Sequence, residues 1–176
     1  MPKARNYERE LKGILQGDLD TIKRVTRTCS PEEKENYQKI MDTPFLLVRS
    51  AGSLGVDLVA MSGDISFPIE VKSSVNMRIR MSKSAQLKEQ TAKFEKVCRK
   101  AGLFPIYAYR LKKVRGDSWR LFKIKIDEHK MFGRLKRIYD KLPEAERSRD
   151  GYVILKWDDG MPLNRFIEYI HHLRSK

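Results

Sequence analysis

The sequence lacks any run approaching the roughly 18 apolar residues of a membrane span, so no membrane partner is expected. Its opening residues, MPKARNYERE, are polar and carry no secretory signal. Cysteine is scarce: Cys29 and Cys98 form neither a CxxC pair nor a disulfide framework. Together these absences point to the cytoplasm. Internal repeats, low-complexity tracts and clear linkers are also missing, which predicts one domain over residues 1–176. Acid is in short supply, with 23 Asp and Glu against 37 Lys and Arg and a net charge of +14. The basic residues are spread along the chain, so a folded surface that favours polyanions is expected, nucleic acid first and anionic membrane second.

What is present reads as alternating helices and strands. Tyr7, Leu11, Ile14 and Leu15 share one face of a helix over residues 7–16. In SPEEKENYQKIM, Ser30 is placed to cap a helix and Pro31 to open it. FLLVRS (45–50) reads as a buried strand, VDLVAM (56–61) as a second and ISFPIEVK (65–72) as a third. A helix over 82–101 carries the stripe Leu87, Thr91, Phe94, Cys98 and Ala101, and Gly102 closes it. Strands over 104–111 and 118–126 follow, around a polar turn near Arg115–Asp117. The remainder reads as a helix over 131–141, a strand over 151–157 and a helix over 162–173 with Leu163, Phe166, Ile167, Ile170 and Leu173 on one face. The expected fold is α/β: a central mixed sheet flanked by helices with an αβββαββ core over 5–126, an insert at 17–44 and a C-terminal extension at 127–176.

The chemistry-bearing residues lie on two adjacent strands. If 56–62 and 65–71 form a hairpin around Gly63-Asp64, facing residues have numbers that sum to 127 and Asp57 lies opposite Glu70. Opposite residues share a face, with Cβ atoms about 5 Å apart. Lys72 is two residues from Glu70 and shares that face too. Pro68, which cannot donate to a ladder, signals a bulge or an edge that would shift the exact pairing. Two buried carboxylates repel unless they are protonated or bridged by a cation. A hard divalent ion such as Mg²⁺ suits them. With a basic surface to gather a polyanion, the constellation fits phosphodiester hydrolysis; a Glu70–Lys72 salt bridge on an exposed edge is the plain structural reading.

The stretches YERELKGIL (7–15), VRSAGSLGVDLVA (48–60), IEVKSS (69–74), KEQTAKFEKVCRKAG (88–102) and WRLF (119–122) resemble the archaeal Holliday junction resolvases, within the wider PD-(D/E)XK nuclease superfamily. The resemblance covers about 70 residues between Tyr7 and Phe122 and implies a restriction-endonuclease-like fold. It also implies a homodimer that cuts four-way junction DNA with Mg²⁺, for which Mn²⁺ can substitute. Position by position it implies Asp57, Glu70 and Lys72 as the core site and the Val71 carbonyl as a further metal ligand. Glu8 is implied as the helix acid, where helical geometry alone leaves Glu8 and Glu10 equal. Arg9 and Arg49 resemble the basic residues near the scissile phosphate, Ser53 the serine of the loop before the aspartate, and Gln90 the glutamine of the long helix. The 17–44 insert and the segment after about 127 are longer than that family's compact members show.

Other residues point less sharply. SAGSLG (50–55) can cradle a phosphate or serve as an ordinary loop. Trp119 with Arg120 can stack on a base, although a strand tryptophan is more often core. His171 and His172 are adjacent on a helix and do not face one ligand together. Three readings compete with a junction resolvase: a nuclease of the same superfamily acting on branched or damaged DNA, a non-catalytic DNA-binding module on the same fold, and a basic RNA-binding protein.

Overall fold

The apolar face of the first helix, α1 (Ala4–Leu15), is buried as its spacing predicts: Leu11, Ile14 and Leu15 lie in the core, with Tyr7 half-buried at its edge. The computed structural model describes residues 4–50, 56–81, 85–126 and 130–176. A short helix that periodicity did not reveal, α2 (Leu19–Val25), follows, capped by Asp18, whose carboxylate accepts the Thr21 N–H at 2.9 Å. In α3 (Pro31–Gln38) Ser30 and Glu33 form a reciprocal capping box, with Pro31 opening the helix where its missing N–H costs nothing.

The central sheet holds β1 (Leu46–Arg49), β2 (Leu58–Ser62), β3 (Ile65–Ser74), β5 (Ile106–Leu111), β6 (Trp119–Lys123) and β9 (Met161–Pro162), in that spatial order. It is mixed: β3 and β5 run parallel and the other neighbours antiparallel. α4 (Ala85–Ala101) connects β3 to β5, the crossover that parallel neighbours require. The order is therefore the αβββαββ core expected from the sequence. A second, three-stranded sheet joins β4 (Arg78–Arg80), β8 (Val153–Lys156) and β7 (Glu146–Arg147), in the order β4-β8-β7. The last helices are α5 (Gly133–Lys141) and α6 (Leu163–Arg174).

The hairpin follows the expected register. Leu58 pairs with Ile69 and Ser62 with Ile65, and Gly63 takes φ 60° in the two-residue turn between them. Alternation along β3 buries Ile65, Phe67, Ile69 and Val71 on one face. There Phe67 meets Phe45 and Phe166, with ring centroids 5.5 and 5.9 Å away. Pro68 marks neither an edge nor a break: β3 is central, and its ladder to β5 begins one residue later, at Ile69.

Three expectations need correction. FLLVRS is not a buried strand; β1 is the sheet's edge, with Leu46 63% and Val48 49% exposed while Phe45 and Leu47 are buried. Continuous apolarity there hides a strand covered on one face only. The α4 stripe is thinly covered: Cys98 is buried, Thr91 and Phe94 are half-buried, and Ala101 is exposed. The strand expected to reach 126 stops pairing at Lys123, although Ile124 and Ile126 remain in the core.

The insert and the C-terminal helix pack on one another through a buried polar network. Asp117 accepts the Tyr37 hydroxyl at 2.7 Å, the Trp119 N–H at 3.0 Å, and the main-chain and side-chain N–H groups of Asn164 at 2.8 Å each. Asn36 donates to the Asn164 side-chain oxygen at 3.1 Å. Both cysteines are free and buried, and burial pushes their thiols up to about 12, so neither is poised as a nucleophile.

Candidate active site

The site forms where β2 and β3 part. Their ladder ends at Leu58–Ile69; one residue on, the pairing slips, and the Asp57 N–H donates to the Ile69 carbonyl at 3.0 Å. The backbone partner that Val71 would have found on β2 is replaced by a side chain: the Val71 N–H donates to the Asp57 carboxylate at 2.7 Å. In an extended strand the N–H and C=O of one residue point to the same edge. The Val71 carbonyl is thereby directed to the Asp57 side.

Glu70 and Lys72 occupy the other face of β3 from Val71, half-buried, with Lys72 Nζ 2.5 Å from Glu70 Oε1. Burial raises the pKa of Glu70, Lys72 opposes the rise, and the Asp57 charge adds to it. For Asp57, burial raises the pKa first; the Val71 N–H and Lys72 lower it, Glu8 raises it and Arg49 lowers it. Burial is the largest cause for both carboxyls and pushes each above its ordinary value.

α1 and β1 supply the remaining charges. Arg49, the last residue of β1, pairs with Leu58 in the ladder, which places it beside Asp57. Its guanidinium donates to Glu8 Oε2 at 2.8 Å. The two acids that helical geometry left equal have separate surroundings. Glu10 accepts the Arg110 Nε–H at 2.8 Å and the Trp119 indole N–H at 3.0 Å, a structural role, while Glu8 faces Arg49 and Asp57. Arg9 is exposed on α1 and makes no ion pair among the described residues. Ser53 and the side chain of Gln90 lie outside the described residues. Trp119 is fully buried, so base stacking is excluded. His171 lies 3.4 Å from Asp42, away from the carboxylates.

The oxygen donors fit a hard cation. Mg²⁺ keeps several waters and takes one or two carboxylates plus substrate phosphate oxygens; Asp57, Glu70 and the Val71 carbonyl answer that description. Among the described residues no three His, Cys, Asp or Glu side chains gather as a metal cluster, so the protein's share of such a shell is small.

Sequence reasoning missed what faces Glu70 across a cavity of about 230 Å³. Lys88, Thr91 and Glu95 of α4, Tyr107 of β5, Arg147 of β7 and Tyr152 line it with Glu70 and Lys72. Glu95 was within reach of pattern reading: it is four residues after Thr91 and three before Cys98, an acid set in the inward stripe. Arg147 carried no local signal: β7 is only two residues long, and its hairpin with β8 reaches the site because β8 pairs with β4, far earlier in the chain. A larger groove, about 780 Å³ and lined mainly by α6 and the segments beside it, holds none of the candidate site residues.

A partly buried carboxylate pair with an adjacent lysine, set where two interior strands of a mixed sheet part in a strongly basic protein, is the arrangement of a nucleic-acid-processing fold. The family model "Archaeal holliday junction resolvase (hjc)" matches residues 24–142, and the chain belongs to this family. The match takes in Arg49, Asp57, Glu70, Val71, Lys72 and Gln90; it begins after α1, so Glu8 and Arg9 lie outside it. No curated protein matches the chain. Among solved structures it is similar to Hjc of Archaeoglobus fulgidus, described as a Holliday junction resolvase from an archaeal hyperthermophile. The two are 21% identical over 70% of this chain and 86% of that one, with a TM-score of 0.45. Among the described residues no helix is long and apolar enough to cross a membrane.

Proposed function

We propose that the protein is a cytoplasmic, structure-selective endonuclease that resolves four-way DNA junctions by paired, Mg²⁺-dependent phosphodiester hydrolysis. Membership of the resolvase family supports the junction as substrate. The observation that carries the chemistry is the Asp57 carboxylate, held on the Val71 N–H where β2 leaves β3, beside the Glu70–Lys72 pair.

In this reading Asp57, Glu70 and the Val71 carbonyl hold the ion, and Glu8 supports a second ion or its water. Bound there, Mg²⁺, or Mn²⁺ in its place, would lower the pKa of a water and neutralise charge developing on the phosphate. Lys72 positions the attacking water and offsets negative charge in the transition state. Arg9, Arg49, Ser53 and Gln90 hold the strand near the scissile phosphate. In-line displacement leaves a 5′-phosphate and a 3′-hydroxyl. Each chain has one such site and a junction needs two symmetric cuts, which a C₂ homodimer supplies.

The test is cleavage of a labelled four-way junction and of a linear duplex of matched sequence, each with Mg²⁺, with Ca²⁺ and with Glu70→Ala. Paired nicks in opposing strands of the junction alone, requiring Mg²⁺ and lost in the variant, are expected. Tight junction binding without cutting under any metal would leave a binding module on this fold. Cutting confined to flaps or lesions would make it a different nuclease.

A further inference from the structure

The cavity beside Glu70 is lined by the β3 pair, Glu70 and Lys72, by Lys88, Thr91, Ala92 and Glu95 of α4, and by the second sheet. That sheet's strands β7 and β8 lie beyond residue 142, where the family match ends. In β7, Arg147 pairs with Val153, and both line the cavity. Arg147 is held by two contacts: Glu95 Oε1 at 2.5 Å and the Gly151 carbonyl at 3.4 Å. A guanidinium carries five N–H donors, more than these contacts take, and the Arg147 side chain remains 39% exposed.

Its surroundings mix charges: Glu95 pairs with it, and the cations Arg80 and Lys88 lie nearby against Tyr152. The Arg80 guanidinium lies 4.1 Å and Lys88 Nζ 5.3 Å from the Tyr152 ring centroid, and Lys88 also donates to the Asp150 carbonyl. These contacts fasten the tip of the β7–β8 hairpin to α4 and β4. Arg147 and Lys88 thus line the same cavity as Glu70, the carboxylate proposed to meet the scissile phosphate through a bound cation. A strand entering there presents a neighbouring phosphate to the far wall, and a forked guanidinium suits a phosphate oxygen pair.

We propose that Arg147, on the hairpin outside the family match, binds the DNA phosphate next to the scissile one, so that the second sheet forms the outer wall of the strand's path. Resting on the nuclease reading, this assigns to the C-terminal segment a direct contact with substrate. Glu95 acts as a positioning residue that aims the guanidinium.

The experiment uses the full chain and four-way junctions in which single phosphates flanking the scissile one are replaced by uncharged methylphosphonates. Binding is measured without divalent metal, so the contact is read whether or not the strand is cut; single-turnover cleavage with Mg²⁺ is measured alongside. Wild type should lose about tenfold in affinity at one flanking position, and Arg147→Ala should lose a similar factor on the unmodified junction with a salt slope smaller by about one ion. At that same position Arg147→Ala should show no further loss, and Arg147→Lys should recover part of the affinity. Melting temperatures of the variants separate contact from folding. The proposal is overturned if Arg147→Ala binds as wild type, if it stays as sensitive as wild type to every neutral phosphate, or if wild type does not bind the junction. Wild type that shows the flanking-phosphate effect yet cuts nothing would sink the hydrolytic reading and leave the phosphate contact standing.

Discussion

Asp57 and Asp117 are both withdrawn from water, and the fold treats them in opposite ways. Asp117, 4% exposed, takes four hydrogen bonds from neutral donors, two on each oxygen. Asp57 takes one main-chain N–H and otherwise faces charges: Lys72 and Arg49 on one side of the balance, Glu8 and Glu70 on the other. Four fixed donors fill the lone-pair sites of the Asp117 carboxylate and leave none for a ligand. An acid balanced by other ions is held in a state that a cation or a proton can change.

The sharpest way to break this contrast is Asp57→Asn, which keeps an oxygen for the Val71 N–H and removes the charge. Single-turnover junction cleavage should fall by about a thousandfold, with junction affinity in metal-free buffer retained. Wild-type cleavage by this variant would return Asp57 to the structural class.

Asp117→Ala should do the reverse. Orphaning Tyr37, Asn164 and the Trp119 N–H should cost about 3 kcal/mol, a fall of roughly 6–12 °C in melting temperature, read by calorimetry. Cleavage well below the transition should change little; a large loss there would join the network to the chemistry.

The two acids of α1 give a finer contrast. Glu8→Gln should slow cleavage about tenfold and leave the melting temperature near wild type. Glu10→Gln should leave cleavage unchanged and cost about 1 kcal/mol by weakening the Arg110 and Trp119 contacts. An exchange of these outcomes would exchange the two roles.

The smallest effect is on stability against pH. Burial raises the pKa of Asp57 and Glu70, so the metal-free native state holds their protons more tightly than the unfolded chain does. Their contribution is complete below the ordinary carboxylate range, near about pH 4, and is lost as pH rises through the raised native values. Glu70→Gln removes one of these titrations. Relative to wild type it should melt about 2 °C higher at neutral pH without metal, with the difference vanishing below about pH 4. An equal difference at every pH would assign the change to packing instead.

Much of this site was legible in the sequence because it is local. Gly63-Asp64 fixed the hairpin register, and the register brought Asp57, Glu70 and Lys72 together; Asp57 does not pair directly opposite Glu70, because the ladder slips by one residue there, the shift that a bulge near Pro68 foretold. The capping box at Ser30 and the closing Gly102 are local signals too, and the helix ends fall where they indicate. What was not legible depends on partners far along the chain. FLLVRS spells a buried strand until its position at the sheet edge is known. Arg78–Arg80 has no apolar alternation of its own and becomes β4 because β8 supplies a ladder. Asp117 sits in a stretch that reads as a polar turn, and its donors come from 80 and 47 residues away.

That last network also decides where the protein can be divided. The family match stops at residue 142, yet Asp117 lies inside it and two of its four donors belong to Asn164, outside it. A chain trimmed to the matched boundary would bury a carboxylate with half its hydrogen bonds gone and expose the side of α3 that Asn164 covers. The polar interior of the fold thus runs across the boundary at which the family match stops.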